Sequence, residues 1–169
     1  MIRIRPERPD DATAIRRTTE LAFGQPDEAD LVDRLRPTAG YIGRVATLDR
    51  VVVGHIAFSQ MTLSPTRPGL VVFGLAPMAV LPDRQREGIG SALVREGLDA
   101  CQRAGADAVF VLGHPAYYPR FGFSPAADVG LASEYDVPRE AFMVRECRVG
   151  ALKHATGVAC YHPAFAALG

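Results

Sequence analysis

The chain has 169 residues, of which 48% are apolar and 22% are charged. This length predicts one globular domain with a core of its own, and the apolar fraction excludes a disordered chain. The 19 basic and 19 acidic residues cancel to a net charge of zero, which excludes an overall field that would attract nucleic acid or an anionic membrane. We therefore expect any anionic ligand to be held by a local site.

Three cysteines, Cys101, Cys147 and Cys160, share no C-x-x-C spacing and cannot all pair. This pattern favours free thiols in a reducing compartment and argues against a zinc site, so we expect no metal. The first six residues lack the apolar stretch of a signal peptide, and the run 70–82 is too short to span a bilayer. We expect a cytoplasmic protein.

Apolar spacing predicts strands and helices in a mixed order along the chain. Asp10 or Asp11 is expected to cap the first helix, and Asp49-Arg50 is expected to turn a hairpin. The expected elements are, in chain order, a strand over residues 2–5, a helix that stops at Gly24, a helix over 27–36, strands over 41–48, 51–63 and 70–81, a helix over 88–105, a strand over 107–112, a short helix or turn over 115–121, and strands over 141–149 and 157–161. This order predicts a mixed α/β sheet rather than a regular Rossmann repeat.

The most informative stretch is residues 80–91, where an apolar strand ends in a basic turn and two glycines open a long amphipathic helix. A helix start exposes unpaired N–H groups and carries about half a positive charge, and glycines let a phosphate approach the backbone. The turn is therefore predicted to hold a diphosphate. It is neither a P-loop nor a full G-x-G-x-x-G turn, which disfavours a dinucleotide-dependent reductase.

The segment Gln85-Arg86-Glu87-Gly88-Ile89-Gly90 resembles the (Q/R)-x-x-G-x-(G/A) acyl-CoA signature of the GCN5-related N-acetyltransferase (GNAT) superfamily. A second landmark also matches, since Tyr118 stands four residues before the pair Gly122-Phe123. The longer string 111–123 is similar to the YhbS-like subgroup of bacterial acetyltransferases. The chain departs from the broad family pattern at Val111, where many members have an Asn seven residues before that Tyr.

The resemblance implies a single-domain α/β fold over residues 1–169, with helices flanking a mixed, mostly antiparallel sheet. It also implies acetyl-CoA as the cofactor. The pantetheine arm would pair with the backbone of Met78, Ala79 and Val80. The diphosphate would be held at the turn by the residues Gln85, Arg86, Glu87, Gly88, Ile89, Gly90 and Ser91.

Tyr118 is the predicted catalytic residue, and this role comes from the resemblance. It would lie near the thioester sulfur and protonate the departing thiolate, for which a phenol with a pKa near 10 is a suitable acid. The alternative is that Tyr118 is a core aromatic residue beside Phe121 and Phe123.

Three further residues are candidate contacts to the amine acceptor: His114, His55 and Glu28. Each has a structural alternative, because a histidine at the end of a strand or on a strand is often bonded within the protein, and a carboxylate near a loop is often simply solvated. No general base stands out.

The predicted function is acetyl transfer from acetyl-CoA to a primary amine of a small molecule or peptide, by direct attack within a ternary complex. We expect no nucleic-acid or membrane partner. A homodimer is one open state, because dimers are common in such families, and the acceptor is not predicted. The alternative function is a non-catalytic sensor of CoA thioesters, or a partner-binding domain, with the same fold.

Overall fold

The computed structural model describes residues 1–168, and the chain forms two compact units. Unit 1 comprises Met1–Ser59, Ala76–Ala100 and the end of the chain from Pro163, and unit 2 comprises Gln60–Leu75 and Cys101–His162. The strands and α-helices are, in chain order, β1 (Ile2–Pro6), α1 (Ala12–Phe23), α2 (Asp27–Leu35), β2 (Ile42–Leu48), β3 (Val51–Ser64), β4 (Val72–Val80), α3 (Ile89–Arg103), β5 (Ala108–Leu112), β6 (Ser124–Pro125), β7 (Leu131–Ser133), β8 (Phe142–Glu146) and β9 (Gly157–Cys160).

Unit 1 is built on the antiparallel strands β1, β2 and β3. The predicted hairpin between β2 and β3 is confirmed. Its two turn residues, Asp49 and Arg50, have φ angles of 50° and 70°, the left-handed conformation that matches a tight turn to the twist of the flanking strands. The pairing of β2 with β3 shifts register between Ala46 and Thr47, just before the turn.

Helices α1 and α2 cover one part of this sheet in unit 1. Their apolar faces bury a cluster formed by Ile15, Val32, Val45 and Val52. Helix α1 ends at Gly24 as predicted, in the left-handed conformation that glycine adopts without steric cost. Within residues 1–168, no helix combines the length and the apolarity needed to cross a bilayer.

The start of α1 differs from the expectation that Asp10 or Asp11 caps it. A short 3₁₀ turn, Pro9–Asp11, precedes the helix, and the Asp11 side chain makes no cap bond to α1. Its carboxylate instead accepts the Arg8 backbone N–H at 2.7 Å and two hydrogen bonds from Arg5. The Arg5 guanidinium of β1 holds both carboxylate oxygens of Asp11 in a bidentate pair, which orients the side chain towards β1.

Unit 2 combines parallel and antiparallel strand pairings. The first part of β4 pairs in parallel with β5, from Val72↔Ala108 to Leu75↔Val111. Strand β8 then pairs antiparallel with β5 and β6, while β9 pairs antiparallel with the end of β3 and in parallel with β7. Antiparallel pairing predominates, so the predicted mixed, mostly antiparallel sheet is confirmed.

The last 50 residues hold more structure than the sequence predicted. The strands expected over 141–149 and 157–161 are present but shorter, and the very short strands β6 and β7 were not anticipated. Two or three residues are too few to show an alternating pattern, so periodicity could not detect them.

Candidate functional site

The end of β4 is the first part of the candidate site. The pairing of β4 with β5 ends at Leu75, and β4 continues beyond it to Val80 in unit 1. Ala79 is buried, whereas Met78 and Val80 are only partly buried. Strand β4 follows β3 in the strand order, and the N–H of Leu81, directly after β4, donates to the Val53 carbonyl of β3 at 2.9 Å. The side of β4 that no longer pairs with β5 can receive an extended partner through main-chain hydrogen bonds.

The turn after β4 contains two residues with positive φ angles, a backbone conformation that most residue types adopt only with strain. A 3₁₀ turn, Pro82–Arg84, is followed by Arg86 with a φ of 66° and Gly88 with a φ of 84°. Left-handed residues alternating with ordinary ones direct successive N–H groups into one concave surface that favours anions. A left-handed φ at a residue other than glycine costs about 1–2 kcal/mol, which marks Arg86 as a position where the chain accepts strain.

Helix α3 starts directly after this turn and is 15 residues long. Its first N–H groups have no acceptor within the helix, and its dipole places partial positive charge there. The turn residues Gln85, Arg86, Glu87 and Gly88 are exposed, and a Cβ placed on Gly88 would meet no atom within 4 Å. The predicted diphosphate site is thus open to solvent, and the helix that follows it is long enough for its dipole to attract an anion.

Two contacts fix the turn against the strands of unit 1. Gln85 Nε2 donates to the Val80 carbonyl at 3.1 Å, which ties the turn back to the end of β4. Gly54 lets α3 approach β3 closely, because a Cβ there would lie 3.1 Å from Leu93 Cδ1 and 3.3 Å from the Ala79 carbonyl. Strand end and helix start are therefore held side by side.

Tyr118 lies in unit 2, at the start of the 3₁₀ turn Tyr118–Phe121, and is 8% exposed. Its ring packs edge-on against Tyr117 and Phe123, and a Cβ on Gly113 would lie 2.4 Å from its Cε2. Burial, with a smaller effect of Tyr117, raises the pKa of Tyr118 to about 12. The phenol is thus a weaker acid than the ordinary value assumed from the sequence.

The candidate acceptor contacts are divided between the two units, with His114 in unit 2 and with His55 and Glu28 in unit 1. His114 is exposed in unit 2, and its carbonyl accepts the N–H groups of Tyr117 and Tyr118. Glu28 lies in the first turn of α2 in unit 1 and accepts hydrogen bonds from Gln25 Nε2 at 3.0 and 3.2 Å. Their roles as acceptor contacts stay predictions.

His55 is 1% exposed and belongs to a buried polar cluster in unit 1. Its Nε2 donates to Glu7 Oε1 at 2.8 Å, and the same oxygen accepts from the Tyr41 hydroxyl at 2.7 Å. Glu7 Oε2 accepts from Arg36 Nε. Burial alone would raise the pKa of Glu7, but these hydrogen bonds outweigh it and lower the pKa to about 2. The arrangement favours the structural alternative for His55.

Sequence reasoning missed Glu7, Arg36 and Tyr41. Glu7 bonds to Arg36, Tyr41 and His55 across separations of 29, 34 and 48 residues, and no local pattern brings them together. A buried cluster of this kind depends on strand register, which a single sequence does not specify.

Comparison with known proteins agrees with this geometry. The model of the Acetyltransferase (GNAT) family matches residues 10–123. The uncharacterized N-acetyltransferase YhbS of Escherichia coli K12 is 38% identical over 165 residues, which cover 96% of this chain and 97% of that protein.

Two solved structures are also similar. The crystal structure of YhbS from Escherichia coli in complex with CoA has a TM-score of 0.91 at 37% identity and covers 99% of this chain and 93% of the other. A GNAT family acetyltransferase from Brucella melitensis in complex with acetyl-CoA has a TM-score of 0.80 at 37% identity, with 98% of both chains covered.

The chain belongs to the GNAT family of acetyltransferases. The predicted family, the fold class and the assignment as an acyltransferase are confirmed. The matched segment contains β4, the turn and the start of α3, which are the elements that carry the candidate site.

Proposed function

We propose that this protein transfers the acetyl group of acetyl-CoA to the primary amine of a small molecule or peptide, and that residues 1–169 form one catalytic domain. The observation that carries the proposal is the open turn at residues 85–88, which follows the part of β4 beyond its pairing with β5 and precedes a 15-residue helix. Two family members of 37% identity contain CoA or acetyl-CoA in their crystal structures, which supports the same ligand here.

The chain's own groups can hold such a coenzyme in two places. The peptide groups of Met78, Ala79 and Val80 are proposed to bond the amides of the pantetheine arm. The N–H groups from Gln85 to Ser91 are proposed to surround the diphosphate, each charge-assisted bond contributing about 1.5–3 kcal/mol. The coenzyme supplies the activated acetyl thioester.

Tyr118 is proposed to assist the departing sulfur. The amine nitrogen bonds to the acetyl carbon, the carbon–sulfur bond breaks with its electron pair on sulfur, and the amine releases one proton to water. The thiolate then takes one proton from water, so the products are the amide and the free thiol of CoA. Full transfer from a phenol of pKa about 12 to a thiolate of pKa about 8.5 is uphill by roughly 5 kcal/mol. We therefore propose that Tyr118 donates a hydrogen bond to the thiolate, and that its pKa keeps this donor protonated over the whole neutral range.

The acceptor amine must be neutral when it attacks. A lysine amine of pKa about 10.4 pays about 4.6 kcal/mol to be neutral at pH 7, whereas an α-amine of pKa about 8 requires only about 1.4 kcal/mol. Without an assigned general base, the α-amine is the easier acceptor.

We propose that His114, His55 and Glu28 contact the acceptor, as the sequence predicts. His55 is the least accessible of the three side chains. We further propose a cytoplasmic location, a bacterial source and a homodimer.

The substitution Gly88→Ala tests the proposed coenzyme site. Alanine at a φ of 84° is strained by about 1–2 kcal/mol, so the turn should shift and the N–H groups should no longer converge. We expect calorimetry to show acetyl-CoA affinity reduced by about tenfold or more, and release of free thiol with a panel of amines to fall with it.

Gly24→Ala is the matched control, because Gly24 has a φ of 72° and open space around it but ends α1 instead of starting α3. It should lose similar stability and keep the wild-type affinity for acetyl-CoA. Equal affinity of Gly88→Ala and wild type would contradict the proposed site. Binding without turnover for every amine tested would favour the non-catalytic sensor instead.

A further inference from the structure

The Glu7, Arg36 and Tyr41 side chains in unit 1 have no proposed part in acetyl transfer, and they line a cavity. The Glu7 side chain is 7% exposed, and both of its oxygens already accept hydrogen bonds. A Cβ on Gly43 would lie 2.1 Å from Glu7 Oε1. Only glycine at position 43 therefore leaves room for this carboxylate.

The cavity has a volume of about 370 Å³. Small-molecule sites in proteins span about 300–1,000 Å³, so the space suits an organic molecule better than a bare ion. Part of the wall is apolar and is formed by Pro9, Ile42 and the body of Tyr41. A ligand that fills the cavity needs an apolar part.

The charged part of the wall favours an anion. Arg8, Arg36 and Arg44 line the cavity together with the single carboxylate of Glu7. Since Arg36 neutralises that carboxylate, the other two guanidinium groups leave the cavity positively charged. Arg44 Nη1 donates to the Gly43 carbonyl at 2.9 Å, which holds its head group at the wall.

Arg36 carries a donor that the protein does not use. Its Nε donates to Glu7 and its Nη1 to Asp33 at 2.7 Å, whereas Nη2 is buried and has no acceptor among the residues that the structure describes. Buried donors without an acceptor are rare, and each one calls for a water, an ion or a ligand.

We propose that this cavity binds a small organic molecule that carries a carboxylate group. The carboxylate oxygens pair with Arg36 Nη2 and with the Arg44 guanidinium, and the apolar body packs against Pro9 and Ile42. Guanidinium–carboxylate bonds are short and charge-assisted, and they give directional recognition. The site is distinct from the proposed coenzyme turn, and its occupancy does not depend on acetyl-CoA.

Benzoate and its uncharged analogue benzamide test the proposal by calorimetry on the full chain, in the absence of acetyl-CoA and amine. We expect benzoate to bind about tenfold more tightly than benzamide, which lacks the charge. Arg44→Gln should weaken benzoate binding about tenfold. Arg8→Gln is the second charge variant, and circular dichroism checks that each variant is folded.

Two further variants separate the site from general electrostatics. Arg17→Gln removes one positive charge from an exposed position of α1 and should leave benzoate binding unchanged. Ile42→Trp narrows the cavity at its apolar wall while every arginine is kept, and it should weaken benzoate binding about tenfold or more.

Four results would overturn the proposal: no heat from benzoate up to about 10 mM, an equal loss in Arg17→Gln, unchanged binding in Ile42→Trp, or inorganic phosphate that binds as tightly as benzoate. The last result would mean that the apolar wall contributes nothing. Because these titrations contain no acetyl-CoA, their failure is distinguishable from failure of the proposed acetyl transfer.

Discussion

Tyr118 illustrates how burial changes what a residue can do. The family resemblance implied that this phenol is the acid for the leaving thiolate, a role that an ordinary pKa near 10 would suit. Packing against Tyr117 and Phe123 removes it from water, and a charged phenolate is disfavoured in such surroundings. Because its pKa is about 12, the hydroxyl group stays protonated and can donate a hydrogen bond at neutral pH, but it is a weak general acid.

Tyr118→Phe should lower turnover by about tenfold or more, because it removes one hydrogen bond to a charged group worth about 1.5–3 kcal/mol. The affinity for acetyl-CoA should change little, since the ring and its packing remain. Steady-state kinetics with a responsive amine measure the first effect and calorimetry measures the second.

Tyr117→Phe is the matched control, as it removes a hydroxyl group from the neighbouring residue and keeps the aromatic contacts to Tyr118 and Phe121. Its turnover should stay within about twofold of wild type. A rate for Tyr118→Phe equal to that of Tyr117→Phe would remove Tyr118 from the mechanism.

At the scale of elements, the sequence predicted best where a pattern is long. Helix α3 and strands β3 and β4 appear within a few residues of their expected bounds, because each shows a sustained apolar period or run. Asp11 shows the limit of local rules. Its position predicts a side-chain cap on α1, but its carboxylate instead pairs with Arg5 of β1. The glycine turn was predictable because the segment itself encodes its backbone shape, whereas the Glu7 cluster depends on contacts between distant elements.

The packing of α3 on β3 gives a prediction for Gly97. A Cβ there would lie 2.3 Å from Phe58 Cε2, and Phe58 is fully buried. Alanine gains about 1 kcal/mol in helix propensity, but overpacking of a closed core costs about 1–3 kcal/mol. With so deep an overlap, we expect Gly97→Ala to lower the free energy of unfolding by about 1–2 kcal/mol.

Urea denaturation measures this loss, and Asp99→Ala on the exposed face of α3 is the control. That variant makes no new core contact and should be as stable as wild type or slightly more stable. A denaturation midpoint for Gly97→Ala at or above the Asp99→Ala value would show that the ring of Phe58 moves aside freely.

At the scale of the whole molecule, Glu7 couples stability to pH. Its pKa is lowered from 4.5 to about 2 in the folded protein. The folded state therefore gains stability from this carboxylate above pH 4.5 and loses it progressively as the pH falls towards 2. The linked free energy is roughly 3 kcal/mol.

We expect Glu7→Gln to flatten the acid limb of a plot of unfolding free energy against pH between about pH 5 and 2. The variant should also be less stable at neutral pH, because Arg36 loses the carboxylate of Glu7 and keeps only that of Asp33 among its described ion pairs. Glu140→Gln, at an exposed position, is the control and should keep the wild-type slope. An unchanged slope in Glu7→Gln would mean that other carboxylates govern acid unfolding.

The end of β4 beyond its pairing with β5 has a consequence for handling the protein. Peptide groups without a neighbouring strand on one side can accept a strand from another molecule, and such pairing promotes aggregation. A bound coenzyme would cover the same groups with its own amides. Concentrated solutions of the apoprotein should therefore aggregate sooner than solutions with excess coenzyme, because the bound coenzyme would block strand pairing between molecules.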